Sequence, residues 1–141
     1  MKSEHHTFME RALELSKLAL PSCLPNPPVG CVIVGDSQVI AEGHTQSYGN
    51  SHAEAVALQD LESTSDLTAY VTLEPCAFQG HTPSCAQALI AAKIKTVYIG
   101  MIDPDPRNNG NGIKLLQEAG VNVSVGILEE EIKSFIASYL S

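Results

Sequence analysis

The stretch VGCVIVGDSQVIAE, residues 29–42, decides the fold prediction. Residues 29–34 are apolar and rich in β-branched side chains, and Gly35-Asp36 is a turn signal. Residues 38–42 then return to a strand-like pattern. Two such runs joined by a short turn predict a β-hairpin.

Helical patterns flank this hairpin, and beyond it strands alternate with helices. Apolar side chains at helical spacing predict a helix over residues 7–20, and four prolines within residues 21–28 predict an extended loop. Ser51 and Thr82 are candidate N-caps, and Gly120 is a candidate C′ residue. The remaining predictions are helices over 52–61, 83–92, 113–119 and 129–140 and strands over 67–73, 96–100 and 121–125. An α/β protein with a five-stranded mixed sheet and helices on both faces, a three-layer α/β/α fold, is therefore expected.

The composition favours one domain that binds a small molecule. With 141 residues, 44% of them hydrophobic, the chain is predicted to form a single domain over residues 1–141. No run of about 18 apolar residues predicts a membrane span, and the N-terminus lacks a secretory signal, so a cytoplasmic location is expected. A net charge of −8 with scattered Lys and Arg argues against nucleic-acid binding.

The four cysteines are not equivalent. Cysteines of a cytoplasmic chain are more often metal-binding or catalytic than disulfide-bonded. Cys31 lies inside the apolar run 29–34 and is predicted to be a core residue, whereas Cys23, in the proline-rich stretch, is predicted to have no role in a site. A closed structural zinc site of four cysteines would require Cys31 to leave its strand. Cys76 and Cys85 remain as candidate ligands.

The candidate metal site consists of His52-Ala53-Glu54, Pro75-Cys76 and Cys85. A histidine and two cysteines suit Zn²⁺, and three protein ligands leave the fourth tetrahedral position for water. Zinc lowers the pKa of that water toward neutrality, and Glu54 could exchange a proton with it. This grouping, with a glutamate that is not a ligand, resembles that of zinc deaminases. A structural zinc site would have no use for Glu54.

The spacing of the two cysteines departs from the usual P-C-x-x-C, because eight residues separate Cys76 from Cys85. Over nearly the whole chain the sequence resembles the cytidine and deoxycytidylate deaminase superfamily, and within it the riboflavin-pathway deaminases. The resemblance is carried by NPPVG (26–30), HAE (52–54), TLEPCAFQGHTPSC (72–85), DPDP (103–106) and the Gly110/Gly112 region. The wide cysteine spacing is typical of that branch, while cytidine and tRNA adenosine deaminases keep the short one.

The resemblance implies a cytidine-deaminase-like fold, Zn²⁺ held by His52, Cys76 and Cys85, and Glu54 as proton shuttle. The implied substrate is a diaminopyrimidinone that carries a ribosylamino 5′-phosphate. The implied substrate contacts, some of which occupy positions where this chain departs from the family, are Asn26, Thr45, His81, Asp103 and Asp105. No reductase domain is expected in the chain.

Several recognition positions differ from the family pattern: Thr45, Val56, Phe78, His81 and Asp105. His81 replaces a permanent cation suited to phosphate with a group only partly charged near neutrality. Asp105 replaces an amide donor with a carboxylate that only accepts hydrogen bonds. Both changes weaken the expectation of a phosphorylated substrate.

Three alternatives therefore stay open. They are a deaminase of another nucleobase, nucleoside or pterin-like ring, a tRNA adenosine deaminase, and a zinc-stabilised domain without turnover. The acidic balance and the long cysteine spacing argue against the tRNA enzyme, and the retained Glu54 argues against a non-catalytic domain. The superfamily resemblance also implies a homo-oligomer, a dimer or a tetramer.

Overall fold

The computed structural model describes residues 4–47, 52–59, 61, 66–77 and 84–139. Its five strands form one sheet in the order β2-β1-β3-β4-β5, with β1 antiparallel to β2 and β3 and the pairs β3–β4 and β4–β5 parallel. The predicted hairpin and mixed sheet are confirmed. The strands are β1 (Gly30–Gly35), β2 (Gln38–His44), β3 (Thr68–Leu73), β4 (Thr96–Met101) and β5 (Asn122–Val125). The helices are α1 (Glu4–Leu18), α2 (Ala53–Leu58), α3 (Cys85–Ala91), α4 (Asn111–Glu118) and α5 (Glu129–Ile136), followed by a 3₁₀ turn, Ala137–Tyr139.

The sheet is buried on both faces, which makes the three-layer architecture. Successive side chains of a strand point to opposite faces. Cys31 and Ile33 of β1 belong to the core under α2, α3 and α4, and Val32 and Val34 to the core under α1 and α5. Burial on both faces explains why β1 is apolar throughout rather than alternating. The predicted core position of Cys31 is confirmed.

Two local predictions are wrong. The proline-rich segment 21–28 is not extended but begins with a compact series of turns, in which Cys23 donates its N–H to the Ala19 carbonyl and Asn26 donates to the Cys23 carbonyl. Cys23 itself is fully buried there. The second helix also ends earlier than predicted, at Leu58, because Gln59 donates to the Val56 carbonyl in a tighter, 3₁₀-type turn.

The ends of α3 and α4 follow from their capping residues. The helix α3 begins at Cys85 rather than at Pro83, since the Ser84 hydroxyl accepts the Gln87 N–H and the Gln87 side chain accepts the Ser84 N–H. The predicted cap Thr82 lies outside the described residues, as does Ser51. Gly120, at φ +89°, lies just past α4 as predicted.

One edge of the sheet gathers the loops that carry polar side chains. Because β1 runs antiparallel to β2 and β3, its beginning lies beside the carboxyl ends of β2, β3 and β4. Open α/β sheets bind ligands in crevices at such an edge. None of the helices in the described part of the chain is long and apolar enough to cross a membrane.

Candidate metal centre and its cavity

A cavity of about 630 Å³ opens at this edge of the sheet. Its volume is within the range of about 300–1,000 Å³ that small-molecule sites occupy. Five segments at the edge contribute to the wall: the segment before β1, the residue after β2, the start of α2, and the segments that follow β3 and β4. The lining includes Asn26, Thr45, His52, Glu54, Glu74, Cys76, Cys85, Asp103, Asp105, Arg107 and Tyr139.

His52, Cys76 and Cys85 form the one group of at least three potential metal ligands in the described ranges, and their ligand atoms all lie within 4.8 Å of one another. His52 Nδ1 is 3.2 Å from Cys85 Sγ. A tetrahedral zinc ion with bonds of about 2.0–2.3 Å separates its ligands by roughly 3.5–3.8 Å. Small adjustments of these side chains would therefore produce zinc coordination, and the donor set is the one that zinc prefers.

Two of these three residues lie at helix starts, and Cys76 follows β3. His52 is the N-cap residue of α2, and its side chain makes no capping hydrogen bond. Cys85 is the first residue of α3, and its backbone N–H donates to Cys76 Sγ over 3.3 Å. The capping box of Ser84 and Gln87 fixes this start of α3, so the N–H points at the sulfur.

Hydrogen bonds at the cluster stabilise a thiolate at Cys76. A hydrogen bond from the Cys85 thiol, together with one from His52, lowers the pKa of Cys76 to about 4. The same hydrogen bond and burial raise the pKa of Cys85, and the bond to Cys76 raises the pKa of His52. Two sulfurs that compete for one proton next to an imidazole are typical of a site whose negative charge a metal cation balances.

Glu54 lines the same cavity from the first turn of α2 and is only 4% exposed. Burial disfavours its charged form and raises the pKa of its carboxyl to about 7. A carboxyl with a pKa near neutrality both accepts and donates protons at physiological pH. The cavity thus contains a buried carboxyl suited to proton exchange beside three potential metal-ligand side chains.

Four of the five predicted substrate contacts lie in the wall of this cavity. Asn26, Thr45, Asp103 and Asp105 line the cavity. The Thr45 hydroxyl accepts the Val29 N–H and donates to the Pro27 carbonyl, so it also holds the loop that carries Asn26.

Three positions that depart from the family pattern lie away from this lining or outside what is described. His81 and Phe78 lie outside the described residues. Val56 is not in the cavity lining; it packs against Gly43 of β2.

Two buried side chains at the site were not predicted from the sequence: Glu74 lines the cavity, and Asn108 bonds the segments that form its wall. Glu74 is only 3% exposed, and its carboxylate accepts the N–H groups of Asp103, Gly110 and Ile113. Asn108 is fully buried; it accepts the Ala77 N–H and donates to the carbonyls of Glu74 and Pro75 and to Asp103 Oδ2.

The sequence position of Glu74 could have singled it out, because it directly follows an apolar strand and buried carboxylates are unusual. Asn108 offers no such signal in a turn-rich loop. Arg107 and Tyr139 also line the cavity, and nothing in the local sequence distinguishes them from surface residues.

Comparison with known proteins gives the same family throughout. A family model described as the cytidine and deoxycytidylate deaminase zinc-binding region matches residues 2–101. The chain is 42% identical over 129 residues to the diaminohydroxyphosphoribosylamino-pyrimidine deaminase of Buchnera aphidicola, a match that covers 91% of this chain and 88% of that protein. It is 44% identical over 134 residues to the riboflavin biosynthesis protein RibD of Escherichia coli, covering 94% of this chain and 36% of that protein.

Among solved structures, the diaminohydroxyphosphoribosylaminopyrimidine deaminase/5-amino-6-(5-phosphoribosylamino)uracil reductase of Thermotoga maritima superimposes with a TM-score of 0.90 at 43% identity, over 97% of this chain and 41% of that one. The chain spans about a third of the length of several curated relatives it matches. The zinc-binding family match and the His-Cys-Cys group together confirm the predicted Zn²⁺ cofactor.

Proposed function

Because the chain belongs to the cytidine and deoxycytidylate deaminase family, we propose that it hydrolyses the amino group of an amino-substituted pyrimidine and releases ammonia. The proposed substrate is the riboflavin-pathway diaminopyrimidinone with a ribosylamino 5′-phosphate. The support for this substrate is the name of a relative that is 42% identical and matched over 88% of its length.

His52, Cys76 and Cys85, which line the cavity, would hold the zinc ion. When bound, zinc lowers the pKa of a water molecule toward neutrality, which makes hydroxide available at physiological pH. Glu54 accepts the proton of that water as its oxygen adds to the ring carbon that bears the amino group. The protonated carboxyl gives this proton to the ring nitrogen. It then takes the proton of the newly added hydroxyl and passes it to the departing amine, so the carbonyl forms, the carbon–nitrogen bond breaks and ammonia leaves.

The position of Glu54 is the observation that carries this proposal. A purely structural metal site would not need a carboxyl of pKa about 7, buried in the same cavity as the cluster. The decisive variant is Glu54→Gln, which keeps the volume and removes the proton exchange. We expect ammonia release to fall by about a hundredfold or more, with zinc content unchanged. Turnover equal to that of the unaltered chain would overturn the mechanism.

The substrate is tested by ammonia release from the riboflavin intermediate, cytosine, cytidine, guanine and pterins. Turnover of unphosphorylated rings alone would replace the proposed substrate with a base or nucleoside. Salt-sensitive binding of tRNA would favour the tRNA-modifying alternative. Zinc without turnover of any ring would leave a non-catalytic zinc domain.

The assembly and the location of the protein stay predictions. A homo-oligomer is predicted, and light scattering coupled to gel filtration would distinguish a dimer from a tetramer. A single deaminase domain over residues 1–141, and a cytoplasmic location, stay predictions from the sequence as well.

A further inference from the structure

Arg107 lies in the wall of the cavity but has no part in the proposed proton transfers. It is the sole Lys or Arg among the lining residues that the structure describes, and its side chain is 73% exposed. A guanidinium presents five N–H donors in a planar fork that matches the oxygens of a phosphate. We infer that Arg107, positioned by Asp105, binds the phosphate monoester of the substrate. This inference rests on the proposed function for the ring end of the same substrate.

The contacts between Asp105 and Arg107 support a fixed guanidinium. Arg107 Nη2 donates to Asp105 Oδ2 over 2.7 Å, and Nε lies 3.2 Å from both carboxylate oxygens. Asp105 Oδ1 also accepts the Arg107 backbone N–H over 2.9 Å. The hydrogen bonds from Arg107 lower the pKa of Asp105 to about 2, so both partners are charged at neutral pH.

Pairing with Arg107 changes the expected effect of Asp105 on an anionic substrate. Alone, a carboxylate at this position would repel an anionic substrate. Paired with Arg107, its charge is balanced, and it acts as a positioning residue that orients the cation. The lost amide at position 105 and the lost permanent cation at His81 are then compensated by one arginine two residues downstream.

Two other carboxylates of the cavity wall, Glu74 and Asp103, already accept hydrogen bonds from the chain. Glu74 accepts three backbone N–H groups. Asp103 accepts the N–H of Asp105 through Oδ1 and the Asn108 amide through Oδ2. Because protein donors already offset their charge, these groups oppose an incoming phosphate less than exposed carboxylates would.

The loop that carries Arg107 is tied to the segment that carries Cys76. Asn108 donates its backbone N–H to the Asp105 carbonyl, and its buried side chain bonds the Pro75 carbonyl and the Ala77 N–H on either side of Cys76. The backbone of the loop that carries Arg107 is thus held at a fixed offset from the metal ligands. Such an offset selects a substrate whose reacting ring and anionic group are a set distance apart.

The test compares ammonia release from the phosphorylated diaminopyrimidinone with release from the same compound after phosphatase treatment. For Arg107→Gln we expect KM for the phosphorylated compound to rise about tenfold to hundredfold, with kcat and the kinetics of the dephosphorylated compound unchanged. Arg107→Lys should recover part of the loss, since it restores the charge without the fork. Lys114→Gln is the matched control, because Lys114 is an exposed cation of α4 outside the cavity lining.

The role of Asp105 is tested by non-additivity. Asp105→Ala should raise KM for the phosphorylated compound alone, and the double variant with Arg107→Gln should be no worse than Arg107→Gln. An equal loss with both compounds, or no loss in Arg107→Gln, would overturn the inference.

A binding measurement separates this inference from the proposed function. Calorimetric titration of the zinc-loaded protein compares uridine 5′-monophosphate with uridine. We expect the phosphate to strengthen binding, and Arg107→Gln to remove the difference. That result without turnover of any pyrimidine would refute the proposed function and retain the anion site; equal binding of the two probes by the unaltered chain would refute the anion site.

Discussion

Cys85 contributes both its sulfur and its backbone N–H to the candidate metal site. Its sulfur belongs to the metal-ligand group, and its N–H donates to the other sulfur, Cys76 Sγ. A serine at this position keeps the backbone donor and removes the sulfur ligand. The substitution therefore isolates metal binding from the geometry of the helix start.

For Cys85→Ser we expect zinc affinity to fall by at least about a hundredfold, since loss of an outer hydrogen-bond partner alone costs about 10- to 100-fold. Competition with a chromophoric chelator measures the affinity. Cys23→Ala is the control, because Cys23 is buried in the proline-rich turns and belongs to no ligand group in the described part of the chain. Full zinc occupancy of Cys85→Ser would show that Cys85 is not a ligand.

Glu74 contributes to stability at the residue scale. Its Oε1 accepts the N–H groups of Asp103 and Gly110, and its Oε2 accepts that of Ile113. In Glu74→Gln the amide oxygen can keep two bonds, while the NH₂ group faces the third N–H. We expect the free energy of unfolding to fall by about 2 kcal/mol. Urea unfolding measures it against Glu118→Gln, an exposed position of the same charge; equal midpoints would contradict the role given to Glu74.

At the scale of elements, the start of α4 packs directly on the metal-ligand segment. A Cβ on Gly112 would lie 1.9 Å from the Pro75 carbonyl oxygen, next to Cys76. Because the atom it would meet belongs to the backbone, the clash can be relieved only if the start of α4 or the segment around Pro75 moves. The absence of a side chain at Gly112 therefore sets how closely α4 approaches the site.

For Gly112→Ala we expect the free energy of unfolding to fall by about 3 kcal/mol or more, together with weaker zinc binding, because Pro75 must shift. Gly110→Ala is the matched comparison. Gly110 has φ +86° and open space around it, so its alanine costs about 1–2 kcal/mol of backbone strain and should leave zinc binding unchanged. Equal zinc affinities of the two variants would contradict the close-packing argument.

At the scale of the whole molecule, the metal site joins segments that are distant in sequence. His52 lies at the start of α2, Cys76 follows β3, and Cys85 begins α3. Anything that binds the folded chain alone stabilises it by mass action. Zinc is therefore expected to act as a structural link as well as a cofactor.

Removal of zinc by a chelator should lower Tm. Zinc at about a hundred times its dissociation constant adds about 2.7 kcal/mol, which corresponds to roughly 5–10 °C for a chain of this size. Differential scanning calorimetry of the zinc-loaded and chelated protein measures the difference. Cys85→Ser should show at most about 0.4 kcal/mol of this stabilisation, a shift of only one or two degrees, because a hundredfold loss of affinity brings zinc down to its dissociation constant. The same Tm for the unaltered chain with and without zinc would contradict the link.

The local pattern of the sequence was sufficient for the order of the elements and for the residue types of the metal group. Apolar periodicity and turn residues act over a few neighbours, so the hairpin over 29–42 and the strands that follow were predictable to within about two residues. The grouping of His52, Cys76 and Cys85 was predictable as well, because zinc requires those ligand types whatever surrounds them, while the catalytic role of Glu54 stays a prediction.

Only the tertiary structure decided what surrounds that group. The backbone N–H groups that Glu74 accepts come from 29 to 39 residues downstream, and the Asn108 side chain reaches back 31 to 34 residues to the segment around Cys76. Hydrogen bonds from side chains to backbone groups cannot be recognised from the spacing of side chains, because nearly every residue carries the same backbone N–H and C=O. Likewise, the sequence alone suggests that Asp105 and Arg107 are ordinary surface charges. The folded arrangement of the loops at one sheet edge places the pair in the cavity wall. Packing brings those loops together, and packing depends on contacts that no local window contains.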